Sequence, residues 1–238
     1  MSVMRPGTKQ FIDSFVKKLP VKLLSIAGLF LVILWLFAFI THEVIIEKET
    51  EFDNKLINLF APYSAESFLR LMRFFTFFGS GKFLISAYSL IVIHYLMRKQ
   101  YVTSLHIAII ALTSTALSQG AKRIFQRTRP GEPLIEALKT YSFPSGHAFS
   151  SFVFCSVLVY LIWRADMQPL WKWLCSILLF LFAVAVGMSR IVLKMHYPTD
   201  VLAGFCLAFL WVILSFFLLN RIQSRRSRLK NLQQGPAG

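Results

Sequence analysis

Six apolar segments, each close to the length needed to cross a bilayer, constrain what this chain can fold into. A membrane-spanning helix needs about 20 mostly apolar residues. The composition agrees, because 56% of the 238 residues are hydrophobic and 16% are charged, whereas an ordinary soluble domain is about a quarter charged. The sequence therefore predicts an all-α integral membrane protein, a single domain over residues 1–238 that forms a six-transmembrane-helix bundle. The predicted spans are about 22–41, 74–97, 102–121, 147–164, 170–189 and 200–220.

The connection between the first two predicted spans has a composition of its own. It is acidic at first and then becomes amphipathic, with Phe68, Leu69 and Leu71 interleaved with Arg70 and Arg73. That pattern is typical of helices lying on a membrane surface. We therefore expect short amphipathic surface helices between spans 1 and 2, and a solvated connection is the plain alternative.

The distribution of basic residues predicts which side of the membrane each loop occupies. The formal net charge is +15, and basic residues concentrate near the N-terminus, in the C-terminal tail and in two short turns. Because cytoplasmic segments collect Lys and Arg, we expect both termini, including the basic tail 221–238, in the cytoplasm. Segments 42–73, 122–146 and 189–199 then face the exoplasmic side. Nucleic-acid binding is disfavoured, since no basic patch alternates with exposed aromatic residues.

Several cations depart from this charge rule, because they lie beside predicted spans on the less basic side. A charge close to a span is costly unless it is paired or serves a purpose. A bound polyanion supplies such a purpose, and snorkelling of interfacial side chains is the plain alternative. Lys122 and Arg129 are seven residues apart, so they lie on one helix face if the third span continues helically that far. The cations are Lys122, Arg123, Arg127, Arg129 and Arg190.

The tetrapeptide 144–147 opens the fourth predicted span. A helix N-terminus presents free backbone N–H groups and a partial positive charge, and both favour a phosphate. Gly146 permits close approach of the backbone, and Ser145 can cap the helix and donate its hydroxyl. The alternative is a plain N-cap followed by a structural His147.

A third polar group follows the fifth predicted span. Ser189 and Arg190 end that span, and His196 and Asp200 follow, four residues apart. If Pro198 begins the sixth helix, Asp200 sits in its first turn, where a carboxylate is favoured. Asp200 can then hold one ring nitrogen of His196 and leave the other free as a nucleophile. The alternative is a helix-capping Asp near an interfacial His.

Together, the three polar groups resemble the three-part signature of the type 2 phosphatidic acid phosphatase superfamily. That family also includes vanadium haloperoxidases and non-specific acid phosphatases. Every signature position matches, in the family's order and with its spacing within each motif. At roughly one chance in 20 per position, coincidence is negligible. The residues that carry the resemblance are Lys122-x6-Arg129-Pro130, Pro144-Ser145-Gly146-His147 and Ser189-Arg190-x5-His196-x3-Asp200.

The resemblance implies a role for each of these side chains. His196 attacks phosphorus and forms a phosphohistidine, Asp200 orients His196, and His147 protonates the leaving oxygen and later helps to activate water. Cations stabilise the charge of a transferring phosphoryl group. No cofactor and no metal is implied. The phosphate cradle would consist of Lys122, Arg129, Arg190, Ser145 and the Gly146 amide.

Four polar residues flank the signature without belonging to it. Arg123 and Arg127 are candidates for contact with a second phosphate or a head group, and ordinary contact with lipid phosphates at the interface is the alternative. Ser118 and Gln119 near the end of the third span either support the site or hydrogen-bond between helices.

The resemblance and the layout together imply hydrolysis of a lipid phosphate or diphosphate at the exoplasmic face, with release of inorganic phosphate. Candidate substrates are undecaprenyl diphosphate, phosphatidylglycerol phosphate, phosphatidic acid and lipid A phosphates. The short loops predict a bacterial inner-membrane enzyme whose partners are the bilayer and its lipid substrate. Segment 43–73 is then a candidate lateral gate for that lipid. Two alternatives stay open: a lipid-to-lipid phosphotransferase using the same phosphohistidine, and a transporter or lipid-binding protein with a vestigial site.

Overall fold

The computed structural model describes residues 21–60, 65–131, 133–135 and 140–233. Every regular element within these ranges is helical, and a π-helical turn, His42–Ile46, extends the first helix. The predicted all-α class is confirmed. The eight α-helices of the described ranges are α1 Val21–Thr41, α2 Glu51–Phe60, α3 Glu66–Phe78, α4 Gly81–Met97, α5 Tyr101–Phe125, α6 Gly146–Arg164, α7 Pro169–Val192 and α8 Pro198–Gln233.

Five of the described helices are long and apolar enough to cross a membrane, and there are six spans if the bent pair α3 and α4 is counted as one. The outer faces of these helices are also apolar. Trp35 and Leu178, for example, are each 65% exposed. Large apolar surfaces of this kind are stable against lipid rather than water. The chain is therefore an integral membrane protein, as predicted.

The second predicted span differs from the structure. The sequence predicts one span over 74–97, but the structure divides this stretch at Gly79 and Ser80, with a bend of 46° between α3 and α4. Ser80 caps α4 by accepting a hydrogen bond from the Phe83 N–H at 3.3 Å. The helix breaks here because serine favours the N-cap position and glycine is costly inside a helix.

Two short amphipathic helices, α2 and α3, lie between α1 and α4 and confirm the prediction of short amphipathic helices in this connection. The buried face of α3 contributes Leu69 and Met72, which pack against Val192, Leu193 and Met195 at the end of α7. This contact fixes the loop after α7, which carries part of the third motif.

The bundle core lies around α6, which packs against α5, α7 and α8. Phe149, Val153 and Val157 of α6 are buried against Ile107 of α5 and Ala208 of α8. Because lipid tails are as apolar as these side chains, close van der Waals packing stabilises the bundle rather than exclusion of water.

The three motifs meet at one end of the bundle, where α3, α5 and α7 end and α4, α6 and α8 begin. Which side of the membrane this end faces stays a prediction from charge. The basic residues of that argument near the N-terminus, and residues 234–238 of the tail, lie outside the described residues. Those N-terminal residues are Arg5, Lys9, Lys17 and Lys18.

Candidate active site

Backbone contacts hold the three motifs together. The Ser142 N–H donates to the Arg127 carbonyl at 2.8 Å, and the Ser145 N–H donates to the Asp200 carbonyl at 2.9 Å. The start of α6 also lies very close to α8, since a Cβ at Gly204 would be 2.7 Å from the Ser145 carbonyl oxygen. The absence of a side chain at Gly204 therefore allows the second and third motifs to meet.

His196 and Asp200 form the predicted pair. As predicted, α8 begins at Pro198 and Asp200 lies in its first turn. Nδ1 of His196 is 3.3 Å from Oδ2 of Asp200 in a fully buried contact. Burial lowers the pKa of His196 to about 3, although the Asp200 carboxylate opposes this shift. The imidazole is therefore neutral near pH 7 with its proton at Nδ1, and Nε2 keeps the lone pair that a nucleophile needs.

Ser142, which sequence reasoning missed, completes this pair. Its buried hydroxyl donates to Oδ2 of Asp200 and lies 3.2 Å from Nδ1 of His196. The Tyr197 N–H donates to the same carboxylate oxygen at 2.9 Å. Asp200 is thus held by several donors in an orientation that faces the ring. The available sequence signal was weak: a serine three residues before Ser145, just upstream of the second motif.

The other carboxylate oxygen of Asp200 binds Arg127. Nη1 of Arg127 donates to Oδ1 of Asp200 at 2.7 Å, and Nη2 donates to Oδ2 of Asp53 at 2.7 Å. The Tyr197 ring stacks on the guanidinium, 4.2 Å from its central carbon. Burial opposes the charge, but Asp200 and Asp53 raise the pKa of Arg127 overall. The structure therefore commits Arg127 to two carboxylates, in contrast to the expected contact with a second phosphate or a head group.

Lys122 and Arg129 both reach the site, but from different elements. α5 ends at Phe125, and Gln126 adopts a left-handed backbone with φ of 50°. A left-handed residue terminates a helix, so Arg129 lies in the following loop. The helix does not continue as far as Arg129, which was the condition for one shared helix face. Nζ of Lys122 donates to the Tyr141 carbonyl at 2.8 Å.

Arg129 lies directly against Nε2 of His196. Its Nη1 is 3.3 Å from Nε2 of His196 and donates to the Met195 carbonyl at 2.6 Å. Its Nε donates to the Thr140 carbonyl at 2.7 Å. Burial lowers the pKa of Arg129, and the Asp200 carboxylate partly offsets that shift. An oxyanion that approaches Nε2 of His196 would therefore meet this guanidinium.

Arg190 is buried and has unused donors. Its Nη1 donates to Oγ1 of Thr76 at the end of α3, a partner that sequence reasoning missed. Its Nε and Nη2 have no hydrogen-bond partner among the described residues. A buried donor left unpaired costs about 1–3 kcal/mol, and more when the group is charged. An oxyanion would satisfy these donors.

The three cations of the predicted phosphate cradle lack a carboxylate partner. Within the described part of the chain, no ion pair includes Lys122, Arg129 or Arg190. The Asp200 carboxylate is instead paired with Arg127. Lys122 and Arg190 are buried and Arg129 is half-buried. Cations removed from water without counter-ions are unfavourable and create a strong positive potential. The site is thus electrostatically suited to an anion.

His147 lies in the first turn of α6, which begins within the second motif at Gly146. Ser145 is the N-cap, as predicted, and its Oγ accepts from the Ala148 N–H at 3.5 Å. Gly146 and His147 both line the central cavity. Gly79, between α3 and α4, is so close that a Cβ there would lie 2.7 Å from Cδ2 of His147. The local sequence feature that could have indicated this close approach is the Gly-Ser-Gly run at 79–81.

A cavity of about 490 Å³ joins these polar groups to an apolar groove between α4 and α5. Ile85 and Leu112 on the groove are 71% and 72% exposed, so the groove is open towards lipid. None of its described lining residues comes from segment 43–73, the candidate lateral gate. The polar end is lined by Lys122, Arg129, Thr140, Gly146, His147 and His196, and the apolar walls include Leu84, Ile85, Val92, Ala108, Ala111 and Leu112.

The remaining predicted site residues occupy different positions. Ser118 and Gln119 line the cavity. Arg190 and Asp200 are buried and are not among the residues that line the cavity, and Arg123 is exposed and does not line it either. A second cavity of about 370 Å³ between α6, α7 and α8 has an almost wholly apolar lining and contains none of the predicted site residues.

Known proteins share this sequence pattern. A sequence model of the PAP2 superfamily matches residues 103–224, which include all three motifs. Phosphatidylglycerophosphatase B of Bacillus subtilis is 32% identical over 120 residues, which are 50% of this chain and 57% of that protein, so the match spans less than two thirds of that relative. An undecaprenyl-diphosphatase of Sulfolobus acidocaldarius is 29% identical over 167 residues, 68% of this chain and 75% of that protein.

Two crystal structures share the fold. A transmembrane PAP2 type phosphatidylglycerolphosphate phosphatase from Bacillus subtilis matches with a TM-score of 0.74 and 22% identity, over 81% of this chain and 96% of that chain. LpxE of Aquifex aeolicus matches with a TM-score of 0.54 and 23% identity, over 68% of this chain and 93% of that chain. Since the family match covers more than half of the sequence and all three motifs, the chain belongs to the PAP2 superfamily.

Proposed function

We propose that the protein hydrolyses a lipid phosphate or diphosphate through a phosphohistidine on His196 and releases inorganic phosphate. One observation carries this proposal: a single cavity has a neutral histidine and unpaired cations at one end and an apolar groove at the other. A phosphate fits the first end and a hydrocarbon chain fits the second. A small soluble phosphate ester would leave the groove unused.

The groove accommodates a substantial length of hydrocarbon. Ala108 and Lys122 mark the extent of the whole cavity along α5, from the apolar groove to the polar end. The fourteen residue steps between them correspond to about 21 Å at 1.5 Å per residue. The hydrocarbon core of a bilayer is about 30 Å thick. A chain in the groove therefore extends past the bilayer midplane when its phosphate occupies the site at the membrane edge.

In the first chemical step, Nε2 of His196 attacks phosphorus and the bond from phosphorus to the lipid oxygen breaks. Asp200 accepts the Nδ1–H hydrogen bond and stabilises the positive charge that develops on the ring. His147 donates a proton to the leaving oxygen. Lys122 and Arg129 hold the phosphoryl oxygens, because preorganised cations stabilise the charge that spreads over them in the transition state.

In the second step, water attacks the phosphorus of the phosphohistidine and His147 accepts a proton from that water. The phosphorus–nitrogen bond breaks, its electron pair returns to Nε2, and His196 regains its neutral state. The unpaired donors of Arg190 are suited to the phosphoryl oxygens throughout both steps. Inorganic phosphate then leaves the cavity.

The names of the relatives provide two candidate substrates, phosphatidylglycerol phosphate and undecaprenyl diphosphate, and phosphatidic acid and lipid A phosphates complete the set. From the distribution of basic residues we infer that both termini are cytoplasmic and that the site faces the exoplasmic side of a bacterial inner membrane.

The proposal is tested by phosphate release from the detergent-purified protein with EDTA present, on each of the four lipids. His196→Ala removes the nucleophile. His42→Ala is the matched control, because His42 is exposed and its described ionic contacts are the surface residues Glu43 and Glu47. We expect His196→Ala to reduce kcat by on the order of 10³-fold or more and His42→Ala to leave it unchanged.

Two results would decide against hydrolysis by this route. Full activity of His196→Ala would exclude a phosphohistidine intermediate on His196. Transfer of phosphate to an added acceptor lipid, without release of free phosphate, would identify a lipid-to-lipid phosphotransferase instead.

A further inference from the structure

One carboxylate in the connection between α1 and α4 differs from its neighbours in being buried. Asp53 on α2 is 1% exposed. Glu51, two residues earlier on the same helix, has a side chain that is 72% exposed and paired with Lys55 at the surface. A buried carboxylate on an amphipathic surface helix is costly unless its partners compensate for the lost hydration. Its partners therefore indicate what it does.

All of the described hydrogen-bond partners of Asp53 belong to Thr199 and Arg127. Thr199 precedes Asp200 in the chain, and Arg127 is bonded to the Asp200 carboxylate. Oδ1 of Asp53 accepts the Thr199 backbone N–H at 2.9 Å. Oδ2 accepts the Thr199 hydroxyl at 2.7 Å and Nη2 of Arg127 at 2.7 Å. Thr199 directly precedes Asp200, so Asp53 holds the backbone at the first turn of α8.

Arg127 provides a second connection from Asp53 to the same carboxylate. Its Nη1 donates to Oδ1 of Asp200 at 2.7 Å and to the Thr199 hydroxyl at 2.9 Å. Its guanidinium thus lies between two carboxylates. The three groups carry a net charge of −1, and loss of the Asp53 charge would make them neutral.

We propose that Asp53 is a positioning residue for the catalytic pair, acting through Arg127 and Thr199 to orient Asp200 against His196. The inference rests on the proposed function of that pair. Asp53 also keeps the group beside His196 negatively charged, which stabilises the positive charge that forms on the ring as the phosphorus–nitrogen bond forms. Through α2, the connection between the first two spans is therefore part of the catalytic support.

The test compares Asp53→Asn with Glu51→Gln in the full-length protein. Both substitutions remove one negative charge from α2, but one is buried against Arg127 and the other is exposed. We expect Asp53→Asn to lower kcat about tenfold or more, a loss typical of groups that orient a reacting residue. KM changes by less than about twofold, because Asp53 does not line the cavity. Glu51→Gln keeps the wild-type kcat.

Inhibition by vanadate and by phosphate separates positioning from a general loss of folded protein. Vanadate becomes five-coordinate when Nε2 of His196 adds to it and so resembles the transition state. Phosphate binds in the cation cradle without needing that bond. We expect Asp53→Asn to raise the Ki of vanadate by the same factor by which kcat falls and to leave the Ki of phosphate unchanged. A loss of folded protein would lower the apparent kcat and change neither Ki.

An unchanged kcat in Asp53→Asn, or a lower kcat with both Ki values unchanged, would overturn the inference while the proposed function stands. Full activity of His196→Ala would instead overturn the proposed function itself. If Asp53→Asn does not fold, Thr199→Val replaces it, with Thr199→Ser as its control. We expect the vanadate Ki to rise in Thr199→Val and to stay near wild type in Thr199→Ser, and equal values in the two would also overturn the inference.

Discussion

The contact between Gly79 and His147 leads to a quantitative prediction for Gly79→Ala. A Cβ at position 79 would lie 2.7 Å from Cδ2 of His147 and 2.8 Å from Cγ1 of Val186. Non-bonded carbon atoms prefer about 3.5–4.0 Å, so the imidazole ring has to move by roughly 1 Å. The φ of Gly79 is −88°, a value that alanine adopts readily. The substitution therefore acts through the steric contact and not through backbone strain.

The size of the effect follows from the displacement of the ring. A misplacement of about 1 Å at a reacting group costs roughly 100-fold in rate, which corresponds to about 2.7 kcal/mol of transition-state stabilisation. The overpacking itself destabilises the fold by about 1–3 kcal/mol. We therefore expect kcat of Gly79→Ala to fall roughly 100-fold in protein that remains folded at the assay temperature.

The assay is phosphate release under saturating lipid, with the folded fraction measured by thermal melting in the same detergent. Gly120→Ala is the matched control. Gly120 lies two residues from Lys122, yet a Cβ there has no neighbouring heavy atom within 4 Å. Wild-type kcat in a folded Gly79→Ala protein would refute the reasoning, as would an equal loss in Gly120→Ala.

Three further predictions concern the support of the site. Ser142→Ala removes the hydroxyl donor to Asp200 and should lower kcat about tenfold with KM unchanged, and an unchanged kcat would show that the remaining donors suffice. Thr76→Val removes the described acceptor of Arg190 without changing side-chain volume much, so kcat/KM should fall several-fold, whereas equal kinetics would exclude a positioning role. The pKa of about 3 for His196 lies below its unfolded value of about 6.5, so the unfolded chain binds more protons and stability falls as pH decreases from about 6.5 towards 3. Lowering the pH from 7 to 4.5 should therefore reduce the melting temperature more in the wild type than in His196→Ala. Equal reductions in the two proteins would contradict a neutral buried imidazole.

Local sequence features were sufficient to predict most of the fold. Runs of apolar residues identify membrane helices because the bilayer requires a fixed apolar length. The position of Pro198 placed Asp200 in the first turn of α8, and the structure has that geometry. The bend between α3 and α4 was harder to predict, because hydropathy averages over residues 74–97 and does not register a helix break at Gly79 and Ser80.

The candidate site could be predicted where its residues belong to short motifs. His147, His196 and the cations were selected because they are polar residues close to apolar spans. Asp53 and Thr76 were missed because their contacts join positions 146 and 114 residues apart, a distance that no local pattern encodes.

The surroundings of Arg127 also depend on residues that are distant in the sequence. In sequence it resembles Arg123, and both were candidates for contact with a second phosphate or a head group, or with lipid phosphates at the interface. In the structure Arg127 is buried between two carboxylates, whereas Arg123 is exposed. Arg123 lies on α5, whereas Arg127 lies in the loop that follows the left-handed residue Gln126 at the end of that helix.

In the proposed mechanism, His196 carries the phosphoryl group between the lipid and water. The most direct measurement is rapid acid-free quenching of a single turnover with lipid labelled in its phosphate, followed by isolation of the protein. The account predicts labelled wild-type protein whose label is lost in acid and retained in base, as expected for a phosphoramidate, and no label in His196→Ala. Phosphate release from the wild type with no labelled intermediate, or a label that persists in His196→Ala, would contradict the account.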